Sequence, residues 1–156
     1  MAKAFLGLGT NLGNKEENIQ TAVNLLQERA GKITALSDRI ETEPWGFQSK
    51  ETFLNAAVAI ETALSPRELL EVTQAIEREM GRTTKSNGTY EDRIIDIDIL
   101  FYDQQVVKEK GLKIPHPLLQ ERLFVLTPLA EIAPDLEHPV LKKTIMQLLT
   151  EVEKTQ

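Results

Sequence analysis

The feature that most constrains this chain is an alternating segment near its middle, Arg93-Ile94-Ile95-Asp96-Ile97-Asp98-Ile99-Leu100-Phe101. An extended strand points successive side chains to opposite faces. The pattern therefore predicts a strand with one face that builds core and one face that carries two carboxylates. The predicted core face is Ile95, Ile97, Ile99 and Phe101, and the predicted acidic face is Asp96 and Asp98.

Two carboxylates on one strand face limit what that face can do. Two residues of strand rise separate Asp96 from Asp98 by roughly 6.5 to 7 Å at the backbone, so their charges repel and need water or cations. Mg²⁺ is commonly held by one or two carboxylates together with substrate phosphates. Arg82, Lys85 and Arg93 lie close enough in sequence to contact those phosphates. The segment fits metal-assisted phosphoryl chemistry, and it also fits a half-solvated antiparallel strand whose polar face is acidic.

Length and composition favour one domain, residues 1–156, with a core of ordinary size. The formal net charge of -6 disfavours general binding to nucleic acid or to a membrane surface. The absence of cysteine excludes disulfides, thiolate metal sites and thiol catalysis, and it is consistent with the cytoplasm. No signal peptide or membrane segment is predicted.

The order of predicted elements indicates the fold. A strand at residues 3–8 precedes a helix capped by Asn14 and ended by Gly31; strands follow at residues 32–43 and 53–62. The capping box Ser65-Pro66-Arg67-Glu68 starts a second helix before the acidic strand. This order predicts an α+β, ferredoxin-like βαββαβ core, with an antiparallel sheet and helices on one face.

An appended C-terminal hairpin and helix region is predicted after the acidic strand. Residues 106–107 form a short return strand, residues 118–122 a helical turn and residues 124–126 a short strand, and Thr144 caps the last helix.

Three residues outside the acidic strand have both a structural and a binding interpretation. Trp45 lies in a segment broken by Pro and Gly, where an aromatic side chain can anchor the loop or bind a ligand. Asn55 can bond to backbone or to a planar ligand. His116 lies between two prolines and can cap a turn or contact a phosphate.

Four separated motifs together resemble the family of 6-hydroxymethyl-7,8-dihydropterin pyrophosphokinases, enzymes of folate biosynthesis. These motifs are Gly9-Thr10-Asn11-Leu12-Gly13, Phe53-Leu54-Asn55-Ala56-Ala57-Val58, Arg93-Ile94-Ile95-Asp96-Ile97-Asp98, and Ile114-Pro115-His116-Pro117 with Arg122 and Phe124. The resemblance covers nearly the whole chain. It implies a ferredoxin-like fold and an ATP-dependent diphosphotransferase that moves pyrophosphate from ATP to the pterin hydroxymethyl group and releases AMP.

The resemblance also implies site residues. The catalytic set is Arg82, Arg93, Asp96 and Asp98, and Asp96 and Asp98 would bind two Mg²⁺ ions. The ATP set is Gln74, Glu77, Lys85, Tyr90, Arg93, Ile99, Lys113, His116 and Arg122. The pterin set is Thr42, Trp45, Phe53, Asn55 and Phe124, with the two Phe rings stacking on the pterin. The expected partners are the two small-molecule substrates, with no nucleic acid and no membrane, and the expected state is a monomer.

Departures from the family pattern and competing interpretations accompany this resemblance. Tyr90-Glu91-Asp92 stands where the family often has Trp-Gly-Pro, and Thr84 and Gly111 stand where basic residues are frequent. One alternative is a non-catalytic ferredoxin-like module that binds a metabolite or regulates a partner. A second is an RNA-binding domain, which the acidic strand disfavours. A third is a kinase that phosphorylates another alcohol and releases ADP instead of AMP.

Overall fold

An antiparallel sheet with helices on both faces forms the framework of the chain. The structure is a computed structural model, and it describes residues 1–42, 52–81 and 94–155. The strands are β1 Ala2–Thr10, β2 Lys32–Leu36, β3 Ile40–Thr42, β4 Phe53–Thr62, β5 Asp96–Tyr102, β6 Val107–Glu109 and β7 Leu112–Ile114. The helices are α1 Lys15–Arg29, α2 Pro66–Glu79, α3 Leu123–Ile132 and α4 Ile145–Thr155, with a short 3-10 helix at Leu119–Glu121.

The strand order in the main sheet is β2-β4-β1-β5, and all of these pairs are antiparallel. β3 pairs with the start of β4. The predicted strand at residues 32–43 is thus divided into β2 and β3, with Ser37 between them donating its backbone N–H to the Ala57 carbonyl at 2.9 Å. This order, with α1 and α2 as the two crossovers, confirms the ferredoxin-like fold.

Local signals in the sequence define the helix starts. The Asn14 side chain accepts from the Glu17 backbone N–H at 3.1 Å, which satisfies an amide at the start of α1. At α2, the backbone N–H of Ser65 donates to the Glu68 carboxylate and the Ser65 hydroxyl accepts from the Glu68 N–H, so the predicted capping box is confirmed. Thr144 caps α4 by accepting from the Gln147 N–H at 3.1 Å.

Each face of the sheet has its own hydrophobic core. The core on one face includes Ile19 and Leu26 of α1, and Leu69 and Ile76 of α2. The opposite face packs against α3 and α4. The two helices of the βαββαβ core, α1 and α2, therefore stack on one face as predicted, and the appended C-terminal region covers the second face of the same sheet.

The prediction of a short strand at residues 124–126 was wrong, because these residues belong to α3. Three consecutive apolar residues do not distinguish a buried strand from a helix that is apolar on most sides. α3 is such a helix: Val125, Leu126, Leu129 and Ala130 are all buried.

A β-bulge corrects the predicted core face of the acidic strand. Phe5 pairs with Phe101 while Leu6 pairs with Ile99, so Leu100 is an extra residue in β5. Ile95, Ile97 and Ile99 lie in the first core, as predicted. Phe101 lies in the second core beside Leu100, because the bulge shifts the alternation by one residue.

The two short strands after β5 form a hairpin outside the main sheet. β6 pairs with β7 in a separate two-stranded sheet, and the strand predicted at residues 106–107 begins at Val107. Gly111 has a φ of 76°, a left-handed conformation that glycine adopts without steric penalty, at the turn of this hairpin. Within the described ranges, none of the helices has the length and apolar character needed to cross a bilayer.

Candidate active site

Asp96 and Asp98 share the face of β5 opposite the buried isoleucines. Both aspartates are partly exposed, while Ile97 between them is 6% exposed. Strand alternation places the two carboxylates side by side on one face. The structure therefore confirms that the alternating segment separates core residues from acidic residues at this end of the strand.

A cross-strand row connects Asp96 with Asn55. Gly9 of β1 lies directly opposite Asp96 on one side and opposite Asn55 of β4 on the other. With strands 4.7 to 4.9 Å apart, roughly 10 Å separate the backbones at Asn55 and Asp96. Gly9 itself places no side chain between the amide and the carboxylate. Gly7 similarly lies opposite Asp98 in the adjacent row.

Gly9 is required by the close packing of its neighbours. A Cβ atom at Gly9 would lie 3.1 Å from Oδ1 of Asn55 and 3.6 Å from Cδ1 of Phe53. The first distance is shorter than ordinary van der Waals contact, so a side chain here would displace the Asn55 amide. The motif that contains Gly9 gave no sequence signal of this packing role.

The predicted pterin residues Thr42, Phe53 and Asn55 lie together. Thr42 of β3 pairs with Phe53 of β4, and Nδ2 of Asn55 donates to Oγ1 of Thr42 at 2.8 Å. This bond orients the Asn55 amide so that Oδ1 points towards Gly9. Asn55 is 5% exposed, so its amide is a buried, oriented polar group rather than a surface side chain.

The side chain of Glu77 contacts the backbone of the acidic strand. β5 is the last strand in the order β2-β4-β1-β5, so one of its edges has no neighbouring strand among the described residues. Oε2 of the buried Glu77 accepts from the Ile97 N–H at 2.8 Å, between the two aspartates. Gln74, three residues earlier on α2, is exposed.

A cavity of about 280 Å³ lies beside Asp98. Four predicted residues line it: Asp98, Ile99, Lys113 and His116. Other residues that line this cavity, among them Leu70 of α2 and Gly111, were not predicted from the sequence. Leu70 follows the buried Leu69 at the start of α2, and the sequence pattern carried no signal that Leu70 borders a cavity.

His116 is fixed at this cavity by two hydrogen bonds. Its backbone N–H donates to the Leu100 carbonyl at 3.1 Å, and its Nδ1 accepts from the Leu118 N–H at 3.4 Å. Burial, with a smaller contribution from the positive Arg122, lowers the pKa of His116 from 6.5 to about 4, although Asp96 opposes the shift. At neutral pH the ring is therefore uncharged, and with Nδ1 as acceptor its proton lies on Nε2.

Arg122 and Phe124 extend the site from β5 towards α3. Arg122 is 9% exposed and precedes α3, where its carbonyl accepts from the N–H groups of Val125 and Leu126. Its guanidinium carbon lies 5.7 Å from the centroid of the Phe124 ring, a cation–π distance. The positive charge of Arg122 contributes to the lowered pKa of His116 and the charge of Asp96 opposes it, so both groups lie within electrostatic range of that ring.

We expect the free energy of unfolding to fall more steeply in acid for the wild type than for His116→Asn. A histidine whose folded-state pKa is about 4 and whose ordinary pKa is 6.5 binds more protons when unfolded, so stability is lost as pH falls from 6.5 towards 4. The expected difference between pH 7 and pH 4.5 is about 1 to 3 kcal/mol. Urea denaturation of both proteins at several pH values measures it, and parallel pH profiles would contradict it.

The residues present fit a divalent cation that also binds phosphate. Among residues 1–42, 52–81 and 94–155, no group of three or more His, Cys, Asp or Glu side chains could hold a metal ion alone. Asp96 and Asp98 instead offer two hard oxygen donors beside an open surface, the ligand number typical of Mg²⁺ that shares substrate phosphates. Five predicted residues fall outside the described ranges: Trp45, Arg82, Lys85, Tyr90 and Arg93.

Comparisons with known proteins identify the family of this chain. Residues 5–134 match the family described as 7,8-dihydro-6-hydroxymethylpterin-pyrophosphokinase. The chain is 50% identical over 141 residues to the 2-amino-4-hydroxy-6-hydroxymethyldihydropteridine pyrophosphokinase of Porphyromonas gingivalis, covering 89% of this chain and 95% of that protein. It is 43% identical over 148 residues to a folic acid synthesis protein of Schizosaccharomyces pombe, covering 94% of this chain and 20% of that protein.

A solved structure has the same fold. The HPPK-DHPS of Plasmodium falciparum, crystallised with pteroate, superposes with a TM-score of 0.81 at 20% identity. The match covers 96% of this chain, which spans 44% of the solved one. The family match over most of the chain, together with the high identity to the Porphyromonas protein, shows that this chain belongs to the 7,8-dihydro-6-hydroxymethylpterin-pyrophosphokinase family.

Proposed function

We propose that this chain transfers the pyrophosphoryl group of ATP to the hydroxymethyl oxygen of 6-hydroxymethyl-7,8-dihydropterin, in folate biosynthesis. A bond forms between that oxygen and the β-phosphorus, the bond from the β-phosphorus to the AMP oxygen breaks, AMP leaves, and the hydroxyl proton is released. Family membership supports the reaction. The observation that supports these residue roles is the row Asn55, Gly9 and Asp96, in which the oriented Asn55 amide and the Asp96 carboxylate lie on either side of a residue without a side chain.

The pterin occupies the Asn55 end of this row. Its ring is flat and rich in donors and acceptors, so Oδ1 of Asn55, held by the bond to Thr42, accepts from ring N–H groups. Phe53 and Phe124 stack on the ring. The hydroxymethyl arm then points across Gly9 towards Asp96, which orients the alcohol.

ATP occupies the Asp98 end and the cavity of about 280 Å³. Asp96 and Asp98 would hold two Mg²⁺ ions, which would screen the phosphate charge as an alcohol approaches the β-phosphorus. Lys113 and Arg122 supply positive charge to phosphate oxygens, and the neutral His116 donates from Nε2. Catalysis is therefore mainly positioning and electrostatic stabilisation.

The proposal also assigns roles to residues outside the site described above, and it includes the domain organisation, the oligomeric state and the compartment. Arg82 and Arg93 act on the phosphates with Lys85 and Tyr90, Gln74 contributes to the ATP site, and Trp45 adjoins the pterin. The protein acts as one domain, as a monomer, in the cytoplasm. Two hydrophobic cores on opposite faces of a single sheet support the single domain.

Product analysis tests the reaction directly. Purified protein is incubated with ATP, Mg²⁺ and 6-hydroxymethyl-7,8-dihydropterin, and the nucleotides are separated by chromatography. We expect AMP and a pyrophosphorylated pterin in equal amounts, and no AMP when the pterin is omitted. ADP as the nucleotide product would instead indicate a kinase that transfers one phosphoryl group. If ATP were not consumed and neither AMP nor ADP appeared, a non-catalytic binding module would be favoured.

Replacing Asn55 by Leu should raise KM for the pterin about tenfold to 100-fold and leave KM for ATP nearly unchanged. Leu keeps the branched arrangement of heavy atoms but cannot accept a hydrogen bond, so ring donors lose their partner. Steady-state kinetics with each substrate varied measures the two constants. Thr34→Val is a matched control, because the Thr34 hydroxyl also bonds within the sheet, to the Ala59 carbonyl. Equal rises in both KM values would argue against a pterin-specific role.

A further inference from the structure

A second and larger cavity, of about 590 Å³, lies between the β6–β7 hairpin and the turn that precedes α4. It shares Lys113, His116 and Pro117 with the smaller cavity beside Asp98. Its volume is in the range of small-molecule sites, which are mostly apolar with a few polar groups. The proposed pyrophosphoryl transfer uses only the shared wall of this cavity and leaves the rest without a role.

Exposed apolar side chains cluster at this cavity. Five large hydrophobic side chains are exposed in the described part of the chain, and three of them, Val106, Val140 and Leu141, line it. Single exposed apolar residues are ordinary on a protein surface, but a contiguous group around a concavity indicates a binding site.

The turn that carries Val140 and Leu141 is held in place by His138. Nδ1 of the buried His138 accepts from the N–H groups of Val140 at 3.1 Å and Leu141 at 3.0 Å. The backbone N–H of His138 donates to the Lys143 carbonyl at 2.8 Å, which closes the turn. The two apolar side chains are therefore presented at the cavity by a fixed backbone, so a ligand would meet a preformed wall.

Positive charge is concentrated on the opposite wall. Lys108, Lys110 and Lys113 line the cavity, and Lys108 lies directly opposite Lys113 in the hairpin. Like charges in directly opposed positions destabilise a β-ladder, and an anion between them removes that repulsion. The one acidic residue among the lining residues, Glu109, is engaged by Arg67 at 2.7 Å. The wall is thus cationic in a chain whose net charge is -6.

We infer that this cavity is a binding site for a small anionic molecule with an apolar body. The anionic group lies between Lys108 and Lys113, and the apolar body packs against Val106, Val140 and Leu141. The inference rests on the lining of the cavity and does not require pyrophosphoryl transfer, although Lys113 is shared with the proposed ATP site.

The probe for this site is 8-anilinonaphthalene-1-sulfonate, which combines an aromatic body with one sulfonate and fluoresces in apolar surroundings. We expect saturable binding to the folded wild type. Val140→Asp should raise the dissociation constant about tenfold, because it places a carboxylate in the apolar wall. Lys108→Gln should raise it about twofold to fivefold, the effect of one exposed charge.

Matched controls locate the probe. Met146→Asp changes an exposed apolar residue that does not line this cavity, and Lys32→Gln changes an exposed lysine elsewhere. Both should bind the probe as the wild type does, and thermal denaturation verifies that all four variants fold. The neutral analogue N-phenyl-1-naphthylamine should bind more weakly than the sulfonate.

Two results would overturn the inference. One is equal probe affinity in Val140→Asp, Lys108→Gln and the wild type, with displacement by ATP, which would place the probe in the smaller cavity. The other is binding of the neutral analogue as tightly as the sulfonate, which would remove the role of the lysines. Neither readout depends on enzyme turnover.

Discussion

Replacing Asp98 by Asn lowers the rate of AMP formation by at least about 100-fold. The amide keeps the shape of the side chain but loses the charge that the proposed metal–phosphate complex requires. Asp96→Asn should behave in the same way.

Initial rates at saturating ATP and pterin, measured across a range of Mg²⁺ concentrations, check this result. Asp135→Asn is the control, since Asp135 is exposed and does not belong to the acidic strand. We expect the Mg²⁺ concentration for half-maximal rate to rise in the Asp98 variant and to stay constant in the Asp135 variant. An Asp98→Asn enzyme with wild-type rate and Mg²⁺ dependence would exclude the carboxylate from metal binding.

Replacing Glu77 by Leu should lower both stability and turnover. The Ile97 N–H would lose its acceptor, and a buried donor without a partner reduces the free energy of unfolding by about 1 to 3 kcal/mol. Because Ile97 lies between the two aspartates, its displacement would move both carboxylates, and kcat should fall about tenfold to 100-fold. Glu77 is thus proposed as a positioning residue in addition to its predicted place in the ATP site.

Two further variants distinguish positioning from charge. Glu77→Gln retains an oxygen acceptor, so it should keep most of the stability and most of kcat. Glu79→Leu on the same helix alters an exposed carboxylate paired with Arg29, and its effect on stability should be within about 1 kcal/mol. If Glu77→Gln were as inactive as Glu77→Leu, the negative charge of Glu77 and not its bond to β5 would be the important property.

Strongly periodic segments made most of the core predictable from the sequence. The alternation around Asp96 and Asp98, the Asn14 cap and the Ser65 capping box each have one local physical explanation, and the structure confirms all three. Phe101 was misplaced because a bulge changes the alternation and depends on pairing with Phe5 in another strand. Residues 124–126 were misassigned because three apolar residues contain less than one helical turn of pattern.

The site was predictable as a set of residue types but not as an arrangement. Asn55, Asp96 and His116 could be selected from the sequence, yet the row through Gly9 depends on the registers of two separate strand pairs. The bond from Ile97 to Glu77 likewise depends on how α2 lies along β5. Such contacts between distant segments have no local signature, so periodicity cannot identify them.

The extra residue at Leu100 divides β5 into two segments with separate tasks. On one side of it, Asp96 and Asp98 stay partly exposed; on the other, Leu100 and Phe101 are consecutive yet both enter the core under α3 and α4. The two segments still meet at β1, because a Cβ atom at Gly7, which pairs with Asp98, would lie 3.5 Å from the Leu100 side chain. Substitutions at Asp98 and Leu100 are therefore expected to have coupled effects on folding free energy, so the acidic end does not vary independently of the helical layer beneath the other end.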